Sequence, residues 1–188
     1  VPTFVNYVEG IYVGYRFYET AAQEGLSFGV KLTNTFPVDI KRQELPGEEM
    51  YMSGKALFPL SISVAARLAE SFDGKLPMSF SGGADQKNID QIVGCGIWPV
   101  TVATVLLKPG GYKWLTRIAE KADTCEIEKC GKVQVEELKK LATDSLTDAH
   151  YHKSVKKAAG KQTEEKSPLL DCLKKKDAPK VKEFTRHK

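Results

Sequence analysis

Hydrophobic and polar positions along this chain fall into two alternating patterns. Short apolar runs that end in small residues are each followed by a stretch with apolar residues at three- and four-residue spacing. The first pattern is typical of buried strands, and the second of helices that pack one face on a sheet. Because strand and helix alternate three times, the order predicts a parallel sheet with right-handed crossover connections.

The predicted strands are residues 26–33, 78–81 and 98–105, and the predicted helices follow each of them. The first helix opens at Ser53 and Gly54 and stops at Asp73 and Gly74, which form a typical helix-stop signal. The second covers residues 88–93 and the third residues 110–121. The apolar positions expected to face the sheet are Leu60, Val64, Ala65, Leu68, Ala69, Phe72, Ile89, Ile92, Val93, Leu115, Ile118 and Ala119.

The remaining segments have weaker patterns. Residues 1–23 are rich in aromatic and β-branched side chains, with breaks at Gly10 and Gly14, which favours strand or extended structure over helix, although a helix could start within residues 16–23. Residues 37–52 predict a long loop of the kind that often serves as a lid. Residues 135–142 predict one more amphipathic helix. We therefore divide the chain into a segment of uncertain origin (1–23), a half-barrel (24–122) and a helical, basic tail or linker (123–188).

The ends of two predicted strands carry the candidate chemistry. Ser81, Gly82 and Gly83 follow one strand, and Ala103 and Thr104 lie at the end of the next. A phosphate dianion is held best by several backbone N–H groups, and small residues let the backbone approach closely. In an eight-stranded barrel the loops after the last two strands commonly form such a site. An ordinary turn is the alternative interpretation of the Gly82–Gly83 pair.

Charge and composition narrow the class of protein. The net charge is +4, and lysines and arginines concentrate after residue 152. That basic tail has few aromatic residues for base stacking, so we expect a solvated or partner-docking segment rather than a nucleic-acid site. The chain has no apolar run near 18 residues and no secretory leader, which favours a cytoplasmic protein without a membrane span.

The cysteines and histidines do not suggest a metal site. Four cysteines are too few for a disulfide framework, and the close pair Cys125 and Cys130 lacks a second pair, so reduced thiols are expected. All three histidines follow residue 149 and are interpreted as part of a solvated tail, with weak metal binding by His150 and His152 as the alternative. Asp85 is interpreted as a helix N-cap rather than a catalytic group.

Four blocks of sequence carry a resemblance to a known family. They are residues 28–38 (FGVKLTNTFPV), 50–60 (MYMSGKALFPL), 79–85 (SFSGGAD) and 103–112 (ATVLLKPGGY). Together they resemble the C-terminal half of the FMN-binding barrel of dihydropyrimidine-dehydrogenase-like proteins, specifically bacterial subunits that carry the name selenate reductase. The similarity covers about residues 24–172 and fades towards SPLLDC at 167–172, while residues 6–22 look like a segment of family 3 β-glucosidases.

The resemblance implies a TIM-type (β/α) barrel with an FMN site. It places the FMN phosphate on Ser81, Gly82, Gly83, Ala103 and Thr104, and the ribityl chain and phosphate near Ser53 and Gly54. Asn34 would lie near the flavin or substrate, and Lys31 would face the pyrimidine edge of the flavin, where a cation stabilises negative charge on the reduced ring. Hydride or electron transfer would run through the flavin, with iron–sulfur or flavin subunits as electron-transfer partners.

Two departures from the family leave an alternative open. A full barrel needs about 250 residues, and only the second half of one is recognisable here. Cys172 is followed by lysines rather than a cluster-binding cysteine series, so no iron–sulfur site is expected in this chain. The alternative is a non-catalytic partial barrel that pairs with a partner chain or another copy to complete the fold. Glycoside hydrolysis, which residues 6–22 alone suggest, is not expected, because the sequence offers no pair of carboxylates to flank a sugar site.

Overall fold

Helices and short strands alternate in the computed structural model, which describes residues 4–40, 49–125 and 132–152, with the backbone alone for residues 4–9. The helices are α1 (Phe4–Gln23), α2 (Phe58–Ser71), α3 (Ile89–Gly94), α4 (Gly111–Asp123) and α5 (Val135–Ser145), and a 3-10 turn, Gly54–Leu57, precedes α2. The strands are β1 (Val30–Leu32), β2 (Phe36–Asp39), β3 (Glu49–Met52), β4 (Met78–Ser81) and β5 (Val100–Thr101).

Three strands form the parallel sheet that the alternation predicts. The strand order is β1-β4-β5, with Leu32 opposite Phe80 and Phe80 opposite Val100. Each connection passes through helix, α2 between β1 and β4 and α3 between β4 and β5. The carboxyl ends of all three strands therefore lie at one edge of the sheet, which confirms the predicted α/β class.

The core lies between this sheet and α2. Phe58, Ile62, Ala65 and Ala69 are buried on α2 and pack against Met78 and Phe80 of β4, with Leu138 of α5 in the same cluster. The buried face of α2 thus shares Ala65 and Ala69 with the predicted face, while Leu60, Val64 and Leu68 lie at its half-buried margin. The helix ends at Ser71, and the predicted stop signal, Asp73 and Gly74, follows it with both residues at positive φ.

The prediction of strand or extended structure for residues 1–23 is wrong, because residues 4–23 form α1. Ile11 is buried with Phe72 and Leu76, and the rings of Tyr15 and Tyr18 lie 6.1 and 5.8 Å from the ring of Phe72. This spacing of 11, 15 and 18 is helical, so contacts on one helix face outweigh the β propensity of the individual residues.

Three further predictions need correction. The predicted loop 37–52 contains the antiparallel pair β2 and β3, with Phe36 opposite Met52. The predicted strand 98–105 is reduced to β5, because residues 104–107 form a turn. Leu115 and Ala119 of α4 are exposed, whereas Ile118 is buried with Ile89 and Val93 of α3.

The segments on either side of the predicted half-barrel pack against it. Ile11 of α1 contacts the C-terminal end of α2 through Phe72, and α5 packs along α2 with Leu138 in the main core. The domain boundaries at residues 23 and 122 stay predictions. The basic tail after residue 152 lies outside the described residues, as do Cys130, Cys172 and His187.

Candidate functional site

A cavity of about 530 Å³ opens at the carboxyl edge of the parallel sheet. Its wall includes the residues that follow β1, β4 and β5 and the 3-10 turn before α2, together with Trp114 and His150. This is the end of the sheet at which α/β folds bind their ligands. The volume lies within the range of about 300–1,000 Å³ that is typical of small-molecule sites.

Most of the sequence-predicted site residues line this cavity. They are Asn34, Ser53, Gly54, Ser81, Gly82, Gly83, Ala103 and Thr104. Lys31 does not line the cavity, since it lies exposed in the middle of β1. The structure thus brings both predicted phosphate loops and the Ser53–Gly54 turn to one place, while their contact with a cofactor stays a prediction.

Three glycines let the cavity wall close up. Gly54, Gly82 and Gly83 all have positive φ, at 63°, 144° and 87°. A Cβ on Gly54 would lie 2.8 Å from Cγ2 of Thr104, and a Cβ on Gly83 would lie 2.9 Å from Cβ of Phe58. Close contacts with neighbouring residues therefore already require glycine at these positions. The absence of side chains also exposes backbone groups to a ligand.

The lining of the cavity has a net positive charge. Its charged residues are Lys55, Lys108 and Asp85, and His150 lies beside them. Asp85 is paired with His150, with Oδ2 of the carboxylate 2.8 Å from Nε2 of the ring. Because the carboxylate already faces a basic group, the two lysines are left to attract a negatively charged ligand.

His150 is a cavity residue that the sequence interpretation missed. Its side chain is 15% exposed and that of its partner Asp85 is 11% exposed, so the pair is largely shielded from solvent. Asp148 begins the turn that carries His150, with Oδ1 accepting the backbone N–H of His150 at 2.8 Å. This Asp-x-His turn was the local signal, but no pattern links it to a partner 65 residues away.

The interpretation of Asp85 as a helix N-cap is also wrong. Asn88 holds the N-cap position of α3. Asp85 instead closes the preceding turn, because its Oδ1 accepts the backbone N–H of Lys87 at 2.8 Å. Its second carboxylate oxygen is therefore available to His150.

A buried amide joins the glycine loop to the segment that carries His150. The Asn88 side chain is fully buried, and its Oδ1 accepts the N–H of Asp85 at 2.8 Å. Its Nδ2 donates to the carbonyl of Gly83 at 3.1 Å and to Oη of Tyr151 at 3.3 Å. The ring of Tyr151 stacks on Phe58 with 4.6 Å between centroids. These contacts fix the loop after β4 and the turn after α5 relative to each other.

Burial shifts the pKa of two groups in the core. It raises the pKa of Tyr151 to about 12, although the hydrogen bond from Asn88 acts in the opposite direction. It also raises the pKa of Cys95 to about 12, with Glu137 adding to the effect. Cys95 is therefore a neutral thiol at physiological pH. Cys95 and Cys125 are both free.

The described residues contain neither a metal-binding cluster nor a membrane-spanning helix. Residues 4–40, 49–125 and 132–152 contain no group of three or more histidine, cysteine or acidic side chains placed to hold a metal ion. Within the same ranges, no helix has the length and apolar character needed to cross a membrane.

Comparison with known proteins identifies what the chain is similar to. A family model described as "Oxidoreductase YgfK, N-terminal TIM-barrel domain" matches residues 4–153. The chain is 48% identical over 157 residues to two proteins named "Putative oxidoreductase YgfK", from Escherichia coli strain K12 and from Escherichia coli O157:H7. The alignment covers 84% of this chain but only 15% of each relative. No solved structure shows a significant match.

Proposed function

Because the chain belongs to the family of YgfK N-terminal TIM-barrel oxidoreductase domains, we propose that it is an FMN-binding part of an oxidoreductase. Membership makes the three-stranded sheet part of a TIM-type α/β barrel. The single observation that supports the FMN proposal is the cavity at its carboxyl edge, lined by both predicted phosphate loops. We include in this proposal that the oxidoreductase is of the dihydropyrimidine-dehydrogenase-like kind, which the sequence resemblance to selenate reductase subunits implies.

The residues of the cavity fit a phosphorylated ligand. Gly82 and Gly83 have positive φ, and neither carries a side chain that would cover the neighbouring backbone groups. Thr104 and Ser81 add hydroxyl groups, and Lys55 and Lys108 add positive charge. Such a set holds a phosphate through short hydrogen bonds and an attractive field.

When bound, FMN supplies hydride or electron transfer. The chain's own residues would bind and orient it. Ser53 and Gly54 would contact the ribityl chain, and Asn34, just after β1, would lie towards the flavin or substrate. Lys31 is assigned no role, because it is exposed on β1 outside the cavity.

An absorbance spectrum tests the proposal. Purified protein mixed with FMN should retain the visible flavin bands through gel filtration. Thr104→Val, which removes one hydroxyl without changing side-chain size, should weaken FMN binding about tenfold through the loss of a hydrogen bond to a charged group. Thr116→Val, at an exposed position of α4, is the matched control. Wild-type protein that passes the column without flavin would refute the proposal.

We also propose that the barrel is completed by a partner chain, a second copy or further strands of a longer protein. In the described part of the chain, β1 and β5 each pair with β4 alone, so each leaves one strand edge without a neighbour. Such edges favour pairing with another chain. The same gel-filtration run reports this, since a well-folded monomer would argue against a partner chain or a second copy.

A further inference from the structure

A histidine outside the predicted phosphate loops lies in the wall of the cavity. We propose that His150 binds the anionic phosphate group of the ligand and that Asp85 is the positioning residue for its ring. The inference deepens the proposed function and rests on it in so far as FMN is the ligand.

The geometry leaves one ring nitrogen for the ligand. Nε2 of His150 lies 2.8 Å from Oδ2 of Asp85, which fixes the ring orientation. With Nε2 held by Asp85, Nδ1 is the ring nitrogen through which His150 would donate to a phosphate oxygen.

His150 is held next to the predicted phosphate loop. Asp85 follows Gly83 by two residues, and the buried Asn88 hydrogen-bonds both the carbonyl of Gly83 and the N–H of Asp85. The same amide donates to Tyr151, the residue after His150. His150 is thus tied to the loop in two ways: its ring bonds Asp85, and the next residue in the chain, Tyr151, bonds Asn88.

The charge of the cavity favours an anion at this place. Asp85 is the sole carboxylate among the cavity-lining residues of the described chain, and it is paired with His150. Lys55 and Lys108 outnumber this single carboxylate, so the lining has a net positive charge that suits a phosphate dianion.

Two flavins that differ only in the phosphate provide the test. Binding of FMN and of riboflavin, which lacks the phosphate, is measured by flavin fluorescence for wild type, His150→Gln and His152→Gln. His152 is the matched control, because it is two residues away and exposed, with Nε2 against the carbonyl of Leu146. We expect His150→Gln to weaken FMN binding about tenfold and to leave riboflavin binding unchanged. His152→Gln should change neither.

Equal losses for FMN and riboflavin in His150→Gln, or no loss for FMN, would overturn the inference. If wild type binds no FMN, the proposed function fails, and ¹⁵N spectra of the histidine rings during titration with inorganic phosphate decide instead. The His150 signal, assigned from the two variants, should then shift with phosphate while that of His152 does not. Asp85→Asn should reduce that shift if Asp85 positions the ring. A His150 signal that ignores phosphate would overturn the inference.

Discussion

The loops after β4 and β5 both line the cavity, but different forces hold them. The loop after β4 is fixed by side chains: Asn88 is fully buried and bonds Gly83, Asp85 and Tyr151. The loop after β5 is held by backbone turns, with the N–H of Leu106 on the carbonyl of Ala103 at 2.9 Å, and by Val102 and Val105, which are partly buried against the cluster that contains Ile118. It exposes Lys108, and Leu107 is 86% exposed.

This difference predicts that substitutions in the two loops affect different properties of the protein. Residues of the loop after β4 serve the packing of α2 and of the turn after α5, so a change there disturbs the fold as well as the cavity. Exposed residues of the loop after β5 contribute little to stability, because most of their surface faces water. Substitutions there should report on ligand binding alone. The three predictions that follow test this contrast.

Gly83→Ala should have the largest effect. The added Cβ would lie 2.9 Å from Cβ and 3.0 Å from the backbone N of Phe58, at a φ of 87° that alanine rarely adopts. Backbone strain and overpacking together should lower the free energy of unfolding by about 3–5 kcal/mol. Urea unfolding followed by circular dichroism measures the loss.

Gly110→Ala is the matched control for this prediction. Gly110 also has a positive φ, 74°, but a Cβ there would meet nothing within 4 Å. Only the cost of the left-handed backbone remains, about 1–2 kcal/mol. Equal losses for the two variants would show that the crowding around Gly83 does not distinguish the two loops.

Local signals explain which parts of the fold follow from the sequence. β4 is predicted at its observed bounds because an apolar alternation lies between Pro77 and the Gly82–Gly83 pair. α1 is missed because its aromatic and β-branched residues have high β propensity, although Ile11 and Tyr15 have helical spacing. The propensity of single residues is a weaker guide than the face they share.

The candidate site divides along the same line. The phosphate loops are predictable because each lies directly after a strand, and parallel strands bring their carboxyl ends together. The pairing of Asp85 with His150 spans 65 residues and depends on how α5 packs against α2. Such a contact depends on tertiary structure, and the local sequence around either residue does not predict it.

Tyr151 should make stability fall at high pH. Its pKa is raised from 10.0 to about 12, so between these values the folded protein keeps a proton that the unfolded chain loses. The contribution of Tyr151 to the free energy of unfolding is therefore fully present below pH 10. It declines as the pH rises towards 12, by up to about 2.7 kcal/mol. Tyr151→Phe should lose this part of the decline, measured as unfolding free energy against pH for both proteins. Parallel curves for the two would contradict the assignment to Tyr151.

Lys108→Gln should have the smallest effect on stability and a clear effect on binding. Lys108 is exposed in the loop after β5, so the free energy of unfolding should change by no more than about 0.5 kcal/mol. Its charge faces the cavity, so FMN binding should weaken about tenfold, and less at high salt. Lys113→Gln, exposed on α4 outside the cavity lining, controls for net charge and should leave binding unchanged. Equal losses of binding in both variants would mean that the protein's overall charge attracts the ligand. A large loss of stability in Lys108→Gln would mean that the loop after β5 supports the fold as the loop after β4 does.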